Sequence, residues 1–213
     1  MNAKQKPMKT RSILTALGLA TLLAGAANDS QEQLATSMKE TRLEAGRTRD
    51  QLAATLAALT TLTKQEKGDL RPAYEAFTSE LPKTEAAAAW TSTRVTWMQG
   101  DGMKYFEAWQ ATITSINNES LKKKSQQRLD AVKKSYAKVI DQFKAAAEKF
   151  KPFLADLSDI QKVLSNDLTA SGVKGLRSTV SSANSHYKAV NRTINDALEE
   201  MTNMEKSLST EAK

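Results

Sequence analysis

From Leu129 to Leu164 the apolar positions follow a heptad without interruption. Leu129, Tyr136, Phe143, Phe150, Leu157 and Leu164 hold one register position, and Val132, Val139, Ala146, Phe153 and Ile160 hold the other. A stripe with this repeat lets a helix bury one side against partner helices in a bundle or coiled coil. A second such seam runs through Val173, Val180, Tyr187, Ile194, Met201 and Leu208, with Leu176, Ala183, Val190, Ala197 and Met204 between them. Two clean seams predict two helices that pack on one another. Pro152 lies off the first seam, so it can bend the helix without unstitching its packing.

The pattern before residue 121 is weaker. Ser30 and Gln33 have capping-box spacing and predict a helix starting near Gln31, which Gly68-Asp69 ends. Its seam pairs Met38, Ala45, Leu52 and Leu59 with Thr41, Thr48, Thr55 and Leu62, a small and partly polar stripe that predicts close helix approach. Leu70, Tyr74, Phe77 and Leu81 then recur at helical spacing until Pro82, where a kink or short break over 79–83 is expected. An Ala-rich helix resumes from Glu85 to Met98, and Gly100-Asp101-Gly102 reads as a hinge, or as a stretch that a helix crosses at a cost of ~1 kcal/mol per glycine. Phe106, Trp109, Ile113 and Ile116 form another stripe, closed by Asn117-Asn118. The organising helix starts at Leu121 and continues to about Leu168, and Thr169 to Gly172 make the next turn. No strand pattern competes. The fold class is all-α, an elongated antiparallel helical bundle or coiled coil of about four long helices, the second of them interrupted.

Composition agrees, with only 8 Gly and 4 Pro in 213 residues. The absence of Cys excludes disulfides, thiolate metal sites and a cysteine nucleophile, and the single His186 excludes a site built on two imidazoles. The net charge of +7 overstates how basic the folded part is. Lys4, Lys6, Lys9 and Arg11 precede residue 27, leaving 27 basic against 24 acidic residues beyond it. That balance of +3 argues against a nucleic-acid partner. The basic start, the apolar run Ile13 to Leu23 and the small residues Ala24-Gly25-Ala26 read as a secretory signal peptide over 1–26, cleaved after Ala26, with an uncleaved anchor as the alternative. The expected product is a single helical-bundle domain over 27–213, periplasmic or secreted, with no transmembrane span.

Several short motifs carry a resemblance: Tyr105-Phe106 with Trp109, Asn117 before Glu119-Ser120-Leu121, Ser125 with Arg128, Pro152-Phe153-Leu154 with Leu157 and Asp159-Ile160, and Asn166-Asp167-Leu168-Thr169 before Gly172-Val173. Together, over roughly 69–208, they resemble an uncharacterised bacterial domain-of-unknown-function family of exported coiled-coil proteins, whose members often carry lipoprotein signals. Here Ala26 stands where a lipoprotein would have its acylated Cys. The resemblance implies a fold and an exported location, and no catalytic residues come with it.

Three features are candidates for function. Trp90, Trp97, Tyr105 and Trp109 crowd one stretch, as a possible pocket or as thick core. Between Leu121 and Lys151 ten basic residues face three acids, and Lys122, Lys123, Lys124, Arg128, Lys133, Lys134 and Lys138 form a possible surface for an anionic partner or a solvated face. Lone His186 reads as a half-covered residue beside the seam, and Asp167 before Thr169 as turn and capping chemistry. No spacing for a catalytic group, metal or cofactor occurs. The expected function is therefore non-enzymatic: an exported envelope protein acting by protein or surface interaction, with homo-oligomers possible. A small-molecule-binding bundle using Trp90 to Trp109 and a basic chaperone-like or anionic-surface binder using Lys122 to Lys151 are the alternatives.

Overall fold

The computed structural model describes the backbone of residues 13–65 and 67–209 and the side chains of 28–65 and 67–206. The described elements are α1 (Ile13–Lys64), α2 (Arg71–Ser115), α3 (Glu119–Asn166), the short α4 (Ala170–Gly175) and α5 (Arg177–Ser209). At 1.5 Å per residue α2 and α3 are each ~70 Å long. The four long helices run alternately up and down, as predicted. Each packs on two neighbours, in the cyclic order α1, α2, α3, α5.

The two heptad seams meet as expected. Every seam residue of α3 is buried except Phe150, which is partly covered. On the partner strip Val173, Leu176, Ala183, Val190, Ile194, Ala197, Met201 and Met204 are buried, whereas Val180 and Tyr187 are partly covered. The side chain of Leu208 lies outside the described residues. The strip is not one continuous helix: α4 ends with Leu176 as its C-cap before α5 begins. The turn at Thr169 forms as expected, and Thr169 itself caps α4, its hydroxyl accepting the Gly172 N–H at 3.0 Å while donating to Asp167 Oδ1 at 2.7 Å.

The small seam of α1 does bring α2 close. Thr41, Thr48 and Thr55 are buried with Met38, Ala45, Leu52, Leu59 and Leu62. Their hydroxyls are satisfied within the interface: Thr41 donates to the Arg94 carbonyl at 3.2 Å and Thr48 to the Ala87 carbonyl at 2.9 Å. Thr48 also meets the Thr91 hydroxyl at 2.9 Å, and Thr55 meets that of Thr84 at 2.6 Å. A threonine fits where a leucine would force the helices apart, and each bonded hydroxyl avoids the cost of an unpaired buried polar group.

At three places the sequence offers an interruption and the helix continues. The first helix does not start near Gln31, because α1 runs unbroken from Ile13 through Ser30, so that residues 28–30 are helix interior rather than caps. The apolar 13–23 stretch is itself helical, and nothing between it and Gln31 forces a stop. The second arm is not broken at Pro82, which lies inside α2 on an exposed position while Phe77, Leu81 and Thr84 stay buried. Packing of that buried side against α1 outweighs the ~3 kcal/mol a helix-interior proline costs. Nor is Gly100-Asp101-Gly102 a hinge, since the helix passes through it.

Gly102 has a different purpose. A Cβ there would lie 2.6 Å from two atoms of the Tyr136 side chain, so its absence admits that ring from α3. The Tyr136 hydroxyl donates to the Met98 carbonyl at 2.6 Å, and its ring meets Phe106 edge-on at 5.3 Å between centroids. Gly100, by contrast, has open space where a Cβ would go. Gly100→Ala is therefore expected to stabilise the protein by about 0.5–1 kcal/mol through helix propensity, and Gly102→Ala to destabilise it by about 1–3 kcal/mol through overpacking. Paired denaturant melts check the opposite signs.

Burial, and to a lesser degree the nearby Asp101 carboxylate, push the Tyr136 phenol well above its usual value of 10. A phenol held neutral in the folded state contributes stability that is complete below pH 10 and is lost as the pH climbs beyond it. Tyr136→Phe is expected to cost about 1 kcal/mol near neutral pH from the lost hydrogen bond. The gap between the two proteins should narrow above pH 10, as read from urea melts in alkaline buffers.

Candidate functional site

α2 and α3 touch at both ends and part in the middle. At one end Trp109 Nε1 donates to Ser125 Oγ at 3.2 Å, Gln110 bonds Gln126 at 3.0 Å, and Tyr136 reaches Met98. At the other end the Tyr74 hydroxyl donates to the Gln161 carbonyl at 3.3 Å. Between these clamps lies a cleft of about 380 Å³, within the range of small-molecule sites.

Its cause is local sequence. Residues 86–89 of α2 are four alanines, with Ser92 and Thr96 following, and 145–147 of α3 are three more. Ala88 and Ser92 of α2 and Ala146 and Ala147 of α3 all line the cleft, and none of these short side chains fills it. The floor is apolar, formed by Leu52 of α1, Val95 of α2, Phe143 and Phe150 of α3, and Val190 and Ile194 of α5. Thr48, Thr91, Ser92, Thr96 and Gln99 add neutral polar groups, and the only charged side chains in the lining are Lys144 and Lys151. Phe150, the seam residue that fails to bury completely, is part of this wall.

The aromatic stretch does not gather around this cleft. Trp90 and Trp97 are 56% and 50% exposed, whereas Tyr105 is buried and Trp109 packs partly against the core. Tyr105 contacts Phe106 and Trp109 at centroid distances of 5.4 and 5.5 Å, and Arg128 lies 5.7 Å above the Trp109 ring. Burial pushes the Tyr105 phenol upward, with Arg128 opposing it. The four rings thus divide into an interior pair and an outward pair. The outward pair is one heptad apart on α2, and Arg94 stacks over Trp97 at 4.9 Å while bonding Glu40 of α1 at 2.6 Å. Leu43 of α1 is 53% exposed on the same hairpin.

The basic block also divides. Lys122, Lys133, Lys144 and Lys151 recur at intervals of 11, 11 and 7 residues, which places them on the flank of α3 turned toward α2. Lys133 Nζ sits 5.8 Å from the Phe106 ring across that groove. Lys138 faces α5, where Glu200 is 3.9 Å away, and Lys122 lies 3.9 Å from Glu119. Among the described residues Lys123, Lys124 and Lys134 have no carboxylate within ion-pair distance, while Arg128 is engaged by Trp109. Exposed pairs of this kind contribute about 0–1 kcal/mol each.

His186 is half covered, as expected, and its Nδ1 meets Asp156 Oδ2 at 2.8 Å across the α3–α5 interface. Among the described residues no group of three or more His, Cys, Asp or Glu could hold a metal ion, and no helix is long and apolar enough to cross a membrane. The cleft itself was missed by sequence reasoning, which searched for large rings. The signal lay in the opposed alanine runs.

No curated protein and no solved structure matches the chain. A family match covers residues 25–208, and the chain belongs to DUF2959, described as a protein of unknown function.

Proposed function

We propose that this protein is an exported helical-bundle component of the bacterial envelope that acts by binding a protein partner rather than by catalysis. The observation that carries the reading is the outward face of the α1–α2 hairpin. Trp90 and Trp97 stand half exposed one heptad apart, with Arg94 stacked on Trp97 and Leu43 exposed on the neighbouring helix. Trp and Arg dominate binding energy at protein interfaces, and large exposed rings cost a monomer solubility without contributing to its core. The export half of the reading rests on the basic and apolar first 26 residues, and the family match begins beside the proposed cleavage point. Two seams that bury themselves within one chain leave the surface, not the core, to carry function.

Site-specific photo-crosslinking tests this. With the crosslinking residue at position 90 or 97 of the full chain in cells, a discrete adduct is expected in the periplasmic fraction, on a chain whose N-terminus begins at Ala27. The same residue at Ala53, exposed elsewhere on α1, should give none. Equal labelling at all three positions, or a cytoplasmic protein retaining residues 1–26, contradicts the proposal.

A further inference from the structure

The cleft between α2 and α3 lies apart from the tryptophan face and calls for a ligand of its own. We propose that it binds a single-chain anionic amphiphile, with the alkyl tail along the cleft and the charged head at Lys144 and Lys151.

Shape selects the tail. The α2 side of the lining runs from Ala88 to Gln99, about 17 Å at the helical rise, so the space is long and narrow. Its floor is carbon, from Leu52, Val95, Phe143, Phe150, Val190 and Ile194. An extended peptide would need hydrogen bonds along its whole backbone, and besides Thr48 and Thr91, already bonded to one another, the lining offers only the side chains of Ser92, Thr96 and Gln99. An alkyl chain needs none. Protein interiors are ordinarily packed without voids of this size, and larger residues at 88, 92 or 147 would close this one.

Charge selects the head. No carboxylate lines the cleft, whereas two ammonium groups do, on the same flank of α3 as Lys122 and Lys133. Lys144 and Lys151 currently contact Asp141 at 3.8 Å and Glu148 at 2.7 Å. Those pairs are exposed and one turn apart on a single helix, the weak class that a ligand anion held by its own buried tail can displace. A carboxylate and a phosphate satisfy the same two lysines, so a free fatty acid and a lysophospholipid share this chemistry.

The test uses the purified protein and displacement of cis-parinaric acid, followed by fluorescence below the micellar range of each competitor. Dodecanoate should compete saturably at one site per chain. Dodecanol should bind about tenfold more weakly, and dodecyltrimethylammonium weaker still. A lysophosphatidylglycerol with the same tail should compete as well, and whichever anion is tighter identifies the source of the head group. Lys144→Glu with Lys151→Glu should cost the anions about tenfold and dodecanol little, with an unchanged thermal melt. Ser92→Leu with Ala147→Leu should fill the cleft and abolish binding of all probes while the melting temperature holds or rises. No saturable binding by any probe, or equal binding of the anionic, neutral and cationic chains, overturns the proposal. So would full binding by a filled-cleft variant that remains folded.

Discussion

Everything in this bundle depends on how closely α1 can approach α2. Threonines at alternate seam positions let the two backbones draw together, and their hydroxyls find partners across the interface instead of being buried unpaired. α3 and α5 solve the same problem with bulk, burying Leu129, Phe153, Leu157 and Ile160 against α5 and its neighbours. The result is two tight hairpin-like pairs laid side by side. Where the pairs meet through α2 and α3, contact is fixed by Tyr136 seated over Gly102 at one end and Tyr74 at the other. The alanines between these clamps cannot close the gap.

This arrangement separates architecture from function. The two seams are used up in holding the pairs together, and they leave uncovered an outward aromatic face on one pair and an apolar cleft between the pairs. The cleft is bordered by lysines whose near partners are exposed acids on the same helix, and the aromatic face carries an arginine already bonded to Glu40. The shifted phenols of Tyr105 and Tyr136 are buried packing residues, and Glu80, held below the usual carboxylate range by bonds from Lys83 and Gln51, is a half-covered link from α2 to α1.

The fold was legible in the sequence wherever a seam was large and regular. Both heptads of the second half, the turn at Thr169 and the close approach implied by the α1 threonines could be read from spacing alone. Pro82 and Gly100-Asp101-Gly102 could not, because local breakers were weighed without the packing that overrides them. Gly102 looks like a hinge in one dimension and is a socket in three. The site was less legible. Twenty residues of helix make more than five turns, so tryptophans that are neighbours in sequence need not share a face. Trp109 ends on the core side while Trp90 and Trp97 end in solvent. A cleft made by missing side chains leaves only small residues as its signature, and alanine runs on long helices ordinarily signal nothing beyond helix propensity.

α1 and α2 are closed on one another, while α2 and α3 stand open at mid-length. The native chain has no cysteine, so engineered pairs report on it without background. Thr48→Cys with Thr91→Cys, whose hydroxyls lie 2.9 Å apart, should oxidise to an intramolecular disulfide under mild conditions. Ala88→Cys with Ala147→Cys, on the α2 and α3 sides of the cleft, should remain reduced. Ready oxidation of the second pair, or failure of the first in a folded protein, would contradict the account.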